Sequence, residues 1–320
     1  METTKAPIIF FVYNRADHAK ETIQGILTNP EAKDTVLYIF ADGPKPNASE
    51  GDKKKILQVR DYIHTITGFK DIIIEEAEQN KGLAPSTIYG VSKVLEKHDR
   101  MIMIEDDDVP TPHFLAYMNE CLEKYKDDKK IWGVSGYLYL KDYPQCENQD
   151  DVFLTSRTSS WGWGTWKRCW DKVIWDVDVL KRFFTHKSIV RGFNDYCGMD
   201  HSAMMDNLFR GKNSSWAVRY NFATYLYGGY DVRPRRSLIN NIGMDGSGTH
   251  SGGANTVRKV EYFHRAVVVP DKPAIDPKYN KAILKMVRPS NIIIYLCFKY
   301  GWFGLVQKMV NIKKILHNGR

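Results

Sequence analysis

Short apolar runs alternate with amphipathic helical segments over the first 135 residues, and this alternation limits the fold more than any other feature. The runs are rich in Ile, Val, Phe and Tyr and cover residues 7–12, 36–41, 71–75, 101–104 and 131–135. Apolar residues between the runs recur at helical spacing, as Ile56, Val59 and Ile63 do. Continuous apolar runs suit strands buried on both faces of a parallel sheet. Strand–helix repeats of this length form βαβ units. We therefore predict an α/β fold with an open, mostly parallel sheet and flanking helices.

Three loops follow predicted strands at the edge where ligands bind. In an open α/β sheet that edge lies beyond the carboxyl ends of the strands. The loops are YNRAD at residues 13–17, ADGPKPN at 41–47 and EDDDVP at 105–110. Arg15 can hold a phosphate there, and Asp42 can accept a hydrogen bond from a base or a ribose.

The third loop carries four consecutive acids, Glu105 to Asp108, directly after an apolar run. One interpretation is a solvated turn whose acids favour the start of the next helix. The other is a divalent cation site, because Mg²⁺ and Mn²⁺ bind carboxylates together with substrate phosphates. We favour the cation site, since the cluster is placed at the ligand edge of a chain with a net charge of +8. A nucleotide or nucleotide sugar is the ligand class this implies.

Other nucleotide-binding classes are disfavoured by the motifs. No GxxxxGK[ST] occurs, and no GxGxxG follows the first apolar run, which argues against a P-loop NTPase and a standard dinucleotide fold. A nucleic-acid-binding protein is also disfavoured, because 46 basic against 38 acidic residues is a modest excess without a strong basic run. No nucleic-acid partner is predicted.

Six motifs in order carry a resemblance to a known family. They are FFVYNRAD, YIFADGP, EQNKGLAPS, MIMIEDDDVPTPHF, TSSWGWGTW and LINNIGMDGSGTH, spread over about residues 6–255. The chain resembles bacterial GT-A-type glycosyltransferases (family-2-like) that build surface polysaccharides. It is more distantly similar to the Golgi N-acetylglucosaminyltransferases that share an EDD motif. The resemblance implies a GT-A fold and inverting transfer of a hexosyl or N-acetylhexosaminyl group to a glycan or lipid-linked glycan. The donor would be a nucleoside diphosphate sugar, with a UDP-sugar favoured.

The resemblance also implies roles for individual residues. Asp107 and His250 would bind Mn²⁺ (or Mg²⁺), although His250 in its Gly/Ser-rich stretch also fits an ordinary loop histidine. The residues implied in donor binding are Tyr13, Arg15, Asp42, Asn80, Lys81, Gly82, Glu105, Asp106 and Asp245.

The catalytic base is where the resemblance fails. Related sequences supply it from a late Trp-Asp pair, but the matching pair here is Trp216-Ala217, which has no carboxylate. Asp206 is the preferred replacement, Asp200 the second and Asp245 the third. An inactive glycosyltransferase-like binding protein therefore stays open as an alternative. So does a sugar-nucleotide nucleotidyltransferase, although the latter usually carries a Gly-rich basic loop after the first strand.

A stretch at residues 159–175 holds five of the eight tryptophans. Trp166 and Trp170 are spaced as on one helix face and are expected in the core. Trp161 and Trp163 lie in a Ser/Gly-rich segment and are expected to stack on a sugar, because glycines let backbone approach a ligand.

The chain is expected to divide into three parts. Residues 1–135 would bind the nucleotide sugar, residues 136–270 would bind the acceptor within the same GT-A domain, and residues 271–320 would form a basic amphipathic extension with a helical tail. The tail at 290–320 fits either a helix packed on the domain or an interfacial helix on an anionic membrane. No signal peptide and no apolar run of about 20 residues is evident. We expect a cytoplasmic protein, with peripheral binding to the inner face of the plasma membrane as the second option.

Overall fold

A mixed sheet of eight strands lies at the centre of the computed structural model, which describes residues 5–145, 150–245 and 260–285. The strands are β1 (Ile8–Val12), β2 (Val36–Ala41), β3 (Asp71–Glu76), β4 (Arg100–Glu105), β5 (Asp108–Pro110), β6 (Ile131–Ser135), β7 (Val152–Thr155), β8 (Trp163–Trp166), β9 (Tyr230–Pro234) and β10 (Ile239–Asn241). The helices are α1 (Ala16–Leu27), α2 (Glu50–Ile63), α3 (Leu83–Leu95), α4 (Phe114–Lys124), α5 (Lys167–Trp170), α6 (Val177–Phe183), α7 (Lys187–Cys197), α8 (His201–Phe209), α9 (Trp216–Leu226) and α10 (Pro277–Lys285). A short 3-10 helix covers Pro30–Asp34.

The strand order in the large sheet is β3-β2-β1-β4-β8-β6-β9-β7. Parallel ladders join β3 to β2, β2 to β1, β1 to β4, and β6 to β9. Only β8 and β7 run in the opposite direction within it. Six of the eight strands therefore end at the same edge, which is the edge expected to bind a ligand.

The alternation in the first half of the sequence is confirmed element by element. The five apolar runs form β1, β2, β3, β4 and β6, and the four helical patterns between them form α1 to α4. The α/β class with a mostly parallel sheet and flanking helices is therefore correct. The agreement has a local cause: β1 and β6 are buried throughout, so every position must be apolar or small.

The second half of the chain adds strands β7, β8 and β9, which the sequence pattern does not predict. Helices α6 to α9 fill most of the segment from residue 177 to residue 235. However, β9 ends it, and β7 and β8 precede it in the same eight-stranded sheet. Small or polar residues interrupt two of these strands, WGTW and YDVRP, so no continuous apolar run marks them.

Two smaller apolar clusters complete the packing. Helices α6 to α9 enclose a core of their own, formed by Leu180, Phe193, Cys197, Met205, Leu208, Val218 and Phe222. Helix α10 packs on β7, where the rings of Phe153 and Tyr279 lie 4.8 Å apart.

The rest of the predicted tail, residues 286–320, lies outside the described residues. None of the helices in the described ranges combines the length and apolar character that a bilayer crossing requires.

A two-stranded antiparallel ladder joins the acidic loop to a distant segment. In it β5 pairs with β10, with Asp108 opposite Asn241. Helix α1 packs on the same ladder through Gly25, where a Cβ would lie 2.8 Å from Val109 Cγ1 and 2.9 Å from Pro110 O. The glycine is therefore required for this close approach, which places residues 105–110 between α1 and β10.

Candidate active site

The three loops singled out in the sequence meet at one edge of the sheet. Because β2, β1 and β4 are adjacent and parallel, the segments that follow them lie side by side. The segment after β3 joins them, since Asn80 donates from Nδ2 to Asp42 Oδ2 at 2.9 Å. Four strand ends thus contribute polar side chains to a single surface.

Arg15 connects the first loop to the acidic loop. Its guanidinium forms a two-point pair with Asp106, in which Nε donates to Oδ2 at 3.1 Å and Nη2 donates to Oδ1. Its Nη1 also lies 2.9 Å from Asp107 Oδ2, and this contact lacks the alignment of a hydrogen bond. Arg15 therefore offsets part of the negative charge of the cluster, and its expected contact with a donor stays a prediction.

The four acids occupy different environments. Burial raises the pKa of Glu105 well above its usual value, and the neighbouring acids raise it further. Burial also raises the pKa of Asp108, whose side chain accepts from Gly162 N at 3.2 Å and from Asn241 Nδ2 at 2.9 Å. For Asp106, burial raises the pKa and Arg15 only partly offsets this. Glu105 and Asp108 are thus poor candidates for an exposed anionic surface. The remaining candidates are the middle pair, Asp106 and Asp107.

Helix α1 holds the acidic loop from the other side. Thr22 donates from Oγ1 to the Asp106 carbonyl at 2.8 Å. His18 Nε2 lies 3.2 Å from Asp245 Oδ2, an ion-pair contact when the histidine is protonated. Asp245, expected near the donor, therefore lies next to α1, in the segment that follows β10. His250 lies outside the described residues.

Asp42 holds the loop that follows β3. Its Oδ1 accepts from Gly43 N at 2.9 Å and Lys81 N at 2.8 Å, and its Oδ2 accepts from Gly82 N at 2.9 Å as well as from Asn80. Gly82 has a φ of 81°, a conformation that a glycine adopts without strain. The side chain of Lys81 points elsewhere, with Nζ 4.3 Å from the centre of the Tyr89 ring. Four hydrogen bonds use the lone pairs of Asp42, so its observed role is to shape this loop.

A cavity of about 440 Å³ opens between these loops. It is lined by Tyr13, Asn14, Lys45, Pro46, Asn47, Ala48, Asp52 and Asn80. Burial raises the pKa of the Tyr13 phenol, and the charges of Asp42 and Asp52 raise it further. An aromatic ring beside hydrogen-bonding side chains is the composition expected of a site for a planar, polar ligand. Lys45, Asn47 and Asp52 were not expected here, although the polar residues after the second apolar run were a usable signal.

The donor set suits a hard cation that takes most of its ligands from a substrate. Among the described residues, no group of three or more His, Cys, Asp or Glu side chains is arranged to hold a metal. Asp107 contributes one carboxylate, whose Oδ1 is 3.4 Å from Asn241 Nδ2. Gly243 lies against it, where any Cβ would overlap Asp107 Oδ2. One carboxylate with phosphate oxygens is a usual arrangement for Mg²⁺-type ions, so the residues present fit such an ion.

The two tryptophans expected at the sugar have different positions. Trp163 belongs to β8, is 0% exposed and packs among Trp170, Trp216 and Tyr220. Its assignment to sugar stacking is therefore wrong, because a ring enclosed by core aromatics cannot meet a ligand. Trp161 is half-buried and its ring lies edge-on to Tyr137 at 4.5 Å.

Trp166 and Trp170 are in the core as expected, at 2% exposure each. They do not share a helix face as their spacing suggested, because Trp166 ends strand β8 and Trp170 ends the one-turn helix α5.

Asp200 is unsuited to be the catalytic base. Both of its oxygens accept from Arg157, at 2.7 and 2.8 Å. Burial alone would raise its pKa, but the hydrogen bond to His201 and the charge of Arg157 outweigh burial and hold the pKa well below its usual range. A carboxylate this weakly basic does not take a proton from a hydroxyl near neutral pH.

Asp206 forms an ion pair at 2.7 Å with Arg210, the residue that follows α8. Within the described ranges it makes no hydrogen bond or ion pair to the acidic loop. Its role as base stays a prediction.

No protein-family model and no curated protein matches the chain. Among solved structures, a mannosyltransferase from Pyrobaculum calidifontis in complex with GDP-Man and Mn²⁺ is 15% identical, with a TM-score of 0.38, over 52% of this chain and 46% of that one. TarS from S. aureus is 10% identical, with a TM-score of 0.41, over 73% of this chain and 59% of that one.

A third structure is a putative nucleotide-diphospho-sugar transferase from Desulfovibrio desulfuricans G20. It is 14% identical, with a TM-score of 0.27, over 42% of this chain and 58% of that one. This chain thus spans less than two thirds of the length of each structure. At these scores the likeness is too weak to assign a family or an activity.

Proposed function

We propose that the protein is a metal-dependent glycosyltransferase of the GT-A type, which transfers a sugar from a nucleoside diphosphate donor to a glycan or lipid-linked glycan. The observation that carries the proposal is the convergence of four strand-end loops on one edge of the parallel sheet. A cavity with an aromatic wall and a cluster of four acids lie there together. The motif order in the sequence supports the same class of reaction.

The donor would bind across these loops. Its base would enter the cavity beside Tyr13, within reach of Asp52 and Asn80. Its diphosphate would extend toward Asp107, which would share a divalent cation with it. When bound, that cation would offset the charge that develops on the departing nucleoside diphosphate.

The acceptor would approach from the side of Trp161. This residue immediately precedes Gly162, whose N–H donates to Asp108, so its backbone lies next to the acidic loop. An aromatic ring suits the apolar face of a pyranose. A carboxylate would then take the proton of the attacking hydroxyl, and Asp206 is the residue proposed. Inversion at the anomeric carbon is expected from the family resemblance.

Thermal unfolding with UDP, GDP, CDP or TDP, each with and without Mn²⁺, tests the proposal. A ligand at ~100 times its dissociation constant adds roughly 2.7 kcal/mol of stability, which gives a visible shift. We expect one nucleotide to shift the melting temperature in a Mn²⁺-dependent manner, and UDP is favoured. Asp107→Ala should remove that shift, whereas Asp195→Ala, an exposed position on α7, should keep it. No shift with any nucleotide would contradict the proposal.

A further inference from the structure

Arg15 binds the two middle acids, Asp106 and Asp107, with different geometries. Both oxygens of Asp106 are bound in the two-point pair with Nε and Nη2. Asp107 has one contact from Arg15, at 2.9 Å from Nη1 to Oδ2, without hydrogen-bond alignment. A two-point arginine–carboxylate pair fixes the carboxylate in orientation as well as in charge. Asp106 is therefore fixed by two hydrogen bonds from the arginine, and Asp107 has a single ion-pair contact with it.

The backbone keeps this arrangement in place. Arg15 immediately precedes α1, and its carbonyl accepts from Ala19 N at 3.0 Å. The same helix binds the Asp106 carbonyl through Thr22. Arg15 and Asp106 are therefore both attached to one rigid element, so the pair does not depend on a flexible side chain finding its partner.

Asp107 is the middle acid with fewer hydrogen bonds. Its Oδ2 packs against Gly243, where any Cβ would overlap it, and has the single ion-pair contact with Arg15 Nη1. Its Oδ1 has only the 3.4 Å contact with Asn241, whereas Asp108 and Asp106 have full sets of closer partners. Of the middle pair, Asp107 is therefore the carboxylate that is less fully committed to hydrogen bonds within the protein.

We propose that Arg15 is a positioning residue that holds Asp106 away from the cation and leaves Asp107 as the carboxylate presented to it. The proposal rests on the proposed function in one respect, the use of a divalent cation. It assigns Arg15 to the acidic loop rather than to the donor. Lysine could not replace it, because a single ammonium does not form the two-point pair.

Titration of the full chain with Mn²⁺ alone, followed by electron paramagnetic resonance of the free ion, tests this assignment. Arg15→Gln should bind Mn²⁺ at least ~10-fold more tightly, because a positive charge is removed and Asp106 becomes a second ligand. Arg60→Gln is the matched control. Arg60 is equally buried, with 22% side-chain exposure against 19%, and pairs with Glu76 outside the acidic loop. It should leave Mn²⁺ affinity unchanged.

A double variant makes the test independent of how well Arg15→Gln folds. Asp107→Asn alone should lose Mn²⁺ binding, and adding Arg15→Gln should restore it through the released Asp106. Failure of the double variant to bind Mn²⁺, while it unfolds cooperatively, would overturn the proposal. So would Arg15→Gln with unchanged Mn²⁺ affinity and weakened nucleotide binding, which would place Arg15 on the diphosphate. If wild type binds Mn²⁺ but no nucleotide, the proposed function fails and this assignment does not.

Discussion

Asp231 offers a test of how burial controls ionisation in this fold. It is 0% exposed on β9, and its Oδ2 lies 2.7 Å from Ser135 Oγ. Burial raises its pKa from 3.8 to about 7, although Arg233 nearby acts in the opposite direction. The change we consider is Asp231→Asn, which keeps the size of the side chain and removes the titrating proton.

Ser135 is the nearest hydrogen-bond partner of Asp231. Ser135 Oγ is 3.0 Å from Ser159 O and 2.7 Å from Asp231 Oδ2, and it also accepts from Ser159 N at 3.3 Å. A hydroxyl has one proton to donate. When Ser135 donates to Asp231 it favours the carboxylate and lowers its pKa, but burial has the larger effect. The Asp231–Arg233 contact, 3.5 Å from Oδ2 to Nε, is too long to compete as a hydrogen bond.

The sign and size of the effect on stability follow from this pKa. Because the folded pKa of about 7 is above the usual 3.8, the folded state holds the proton more firmly than the unfolded chain. Its contribution to stability is complete below about pH 3.8 and is lost as pH rises through about 7. At about 1.36 kcal/mol per unit, the loss is about 4 kcal/mol.

The assay is urea unfolding of wild type and Asp231→Asn at intervals from pH 4.5 to 8. Other buried acids titrate in both proteins, so the difference between the two isolates Asp231. We expect wild type to lose about 3 kcal/mol relative to the variant across this range, because part of the full effect lies below pH 4.5. A difference that does not change with pH would refute the reasoning and would mean that Arg233 keeps Asp231 ionised throughout.

Three further predictions concern the site and its supports. Gly243→Ala should displace the Asp107 carboxylate and weaken Mn²⁺ binding by calorimetry, while an unchanged affinity would contradict the close approach of these two residues. Trp163→Ala should lower the free energy of unfolding by about 3–5 kcal/mol. Trp161→Ala should change the free energy of unfolding little and should reduce transfer to the acceptor. Equal destabilisation of the two variants in urea would contradict the difference in their burial. Asp200→Asn should cost about 3 kcal/mol of stability in the same assay, because it removes the charged partner of the half-buried Arg157, and a stability equal to wild type would show that the pair is not structural.

The contrast between Trp161 and Trp163 shows why the site was only partly predictable. The two residues share a Ser/Gly-rich context, so the sequence alone treats them alike. In the structure Trp163 is the first residue of β8, and its ladder with β4 and β6 places the ring in the core. Trp161 lies outside the ladder, before the turn at Gly162. Which of two neighbouring tryptophans meets solvent depends on strand register, and register is set by distant partners.

Asp200 and Asp42 illustrate the same limit for charged residues. Both were chosen as carboxylates in suggestive positions. Asp200 is paired with Arg157, 43 residues away, and Asp42 is bonded to a loop about 40 residues away. These partners set how strongly each carboxylate binds a proton or a ligand, and spacing along the chain does not reveal them.

The sequence by itself determined the strands and helices of the first half and the placement of four acids at a strand end. It could do so because apolar periodicity and strand–helix alternation are local properties. Only the tertiary structure decided how those acids differ. Arg15 reaches Asp106 across 91 residues, and Asn241 reaches Asp108 across 133. Burial and ion pairing depend on such contacts, which form only when the sheet and helix α1 are assembled.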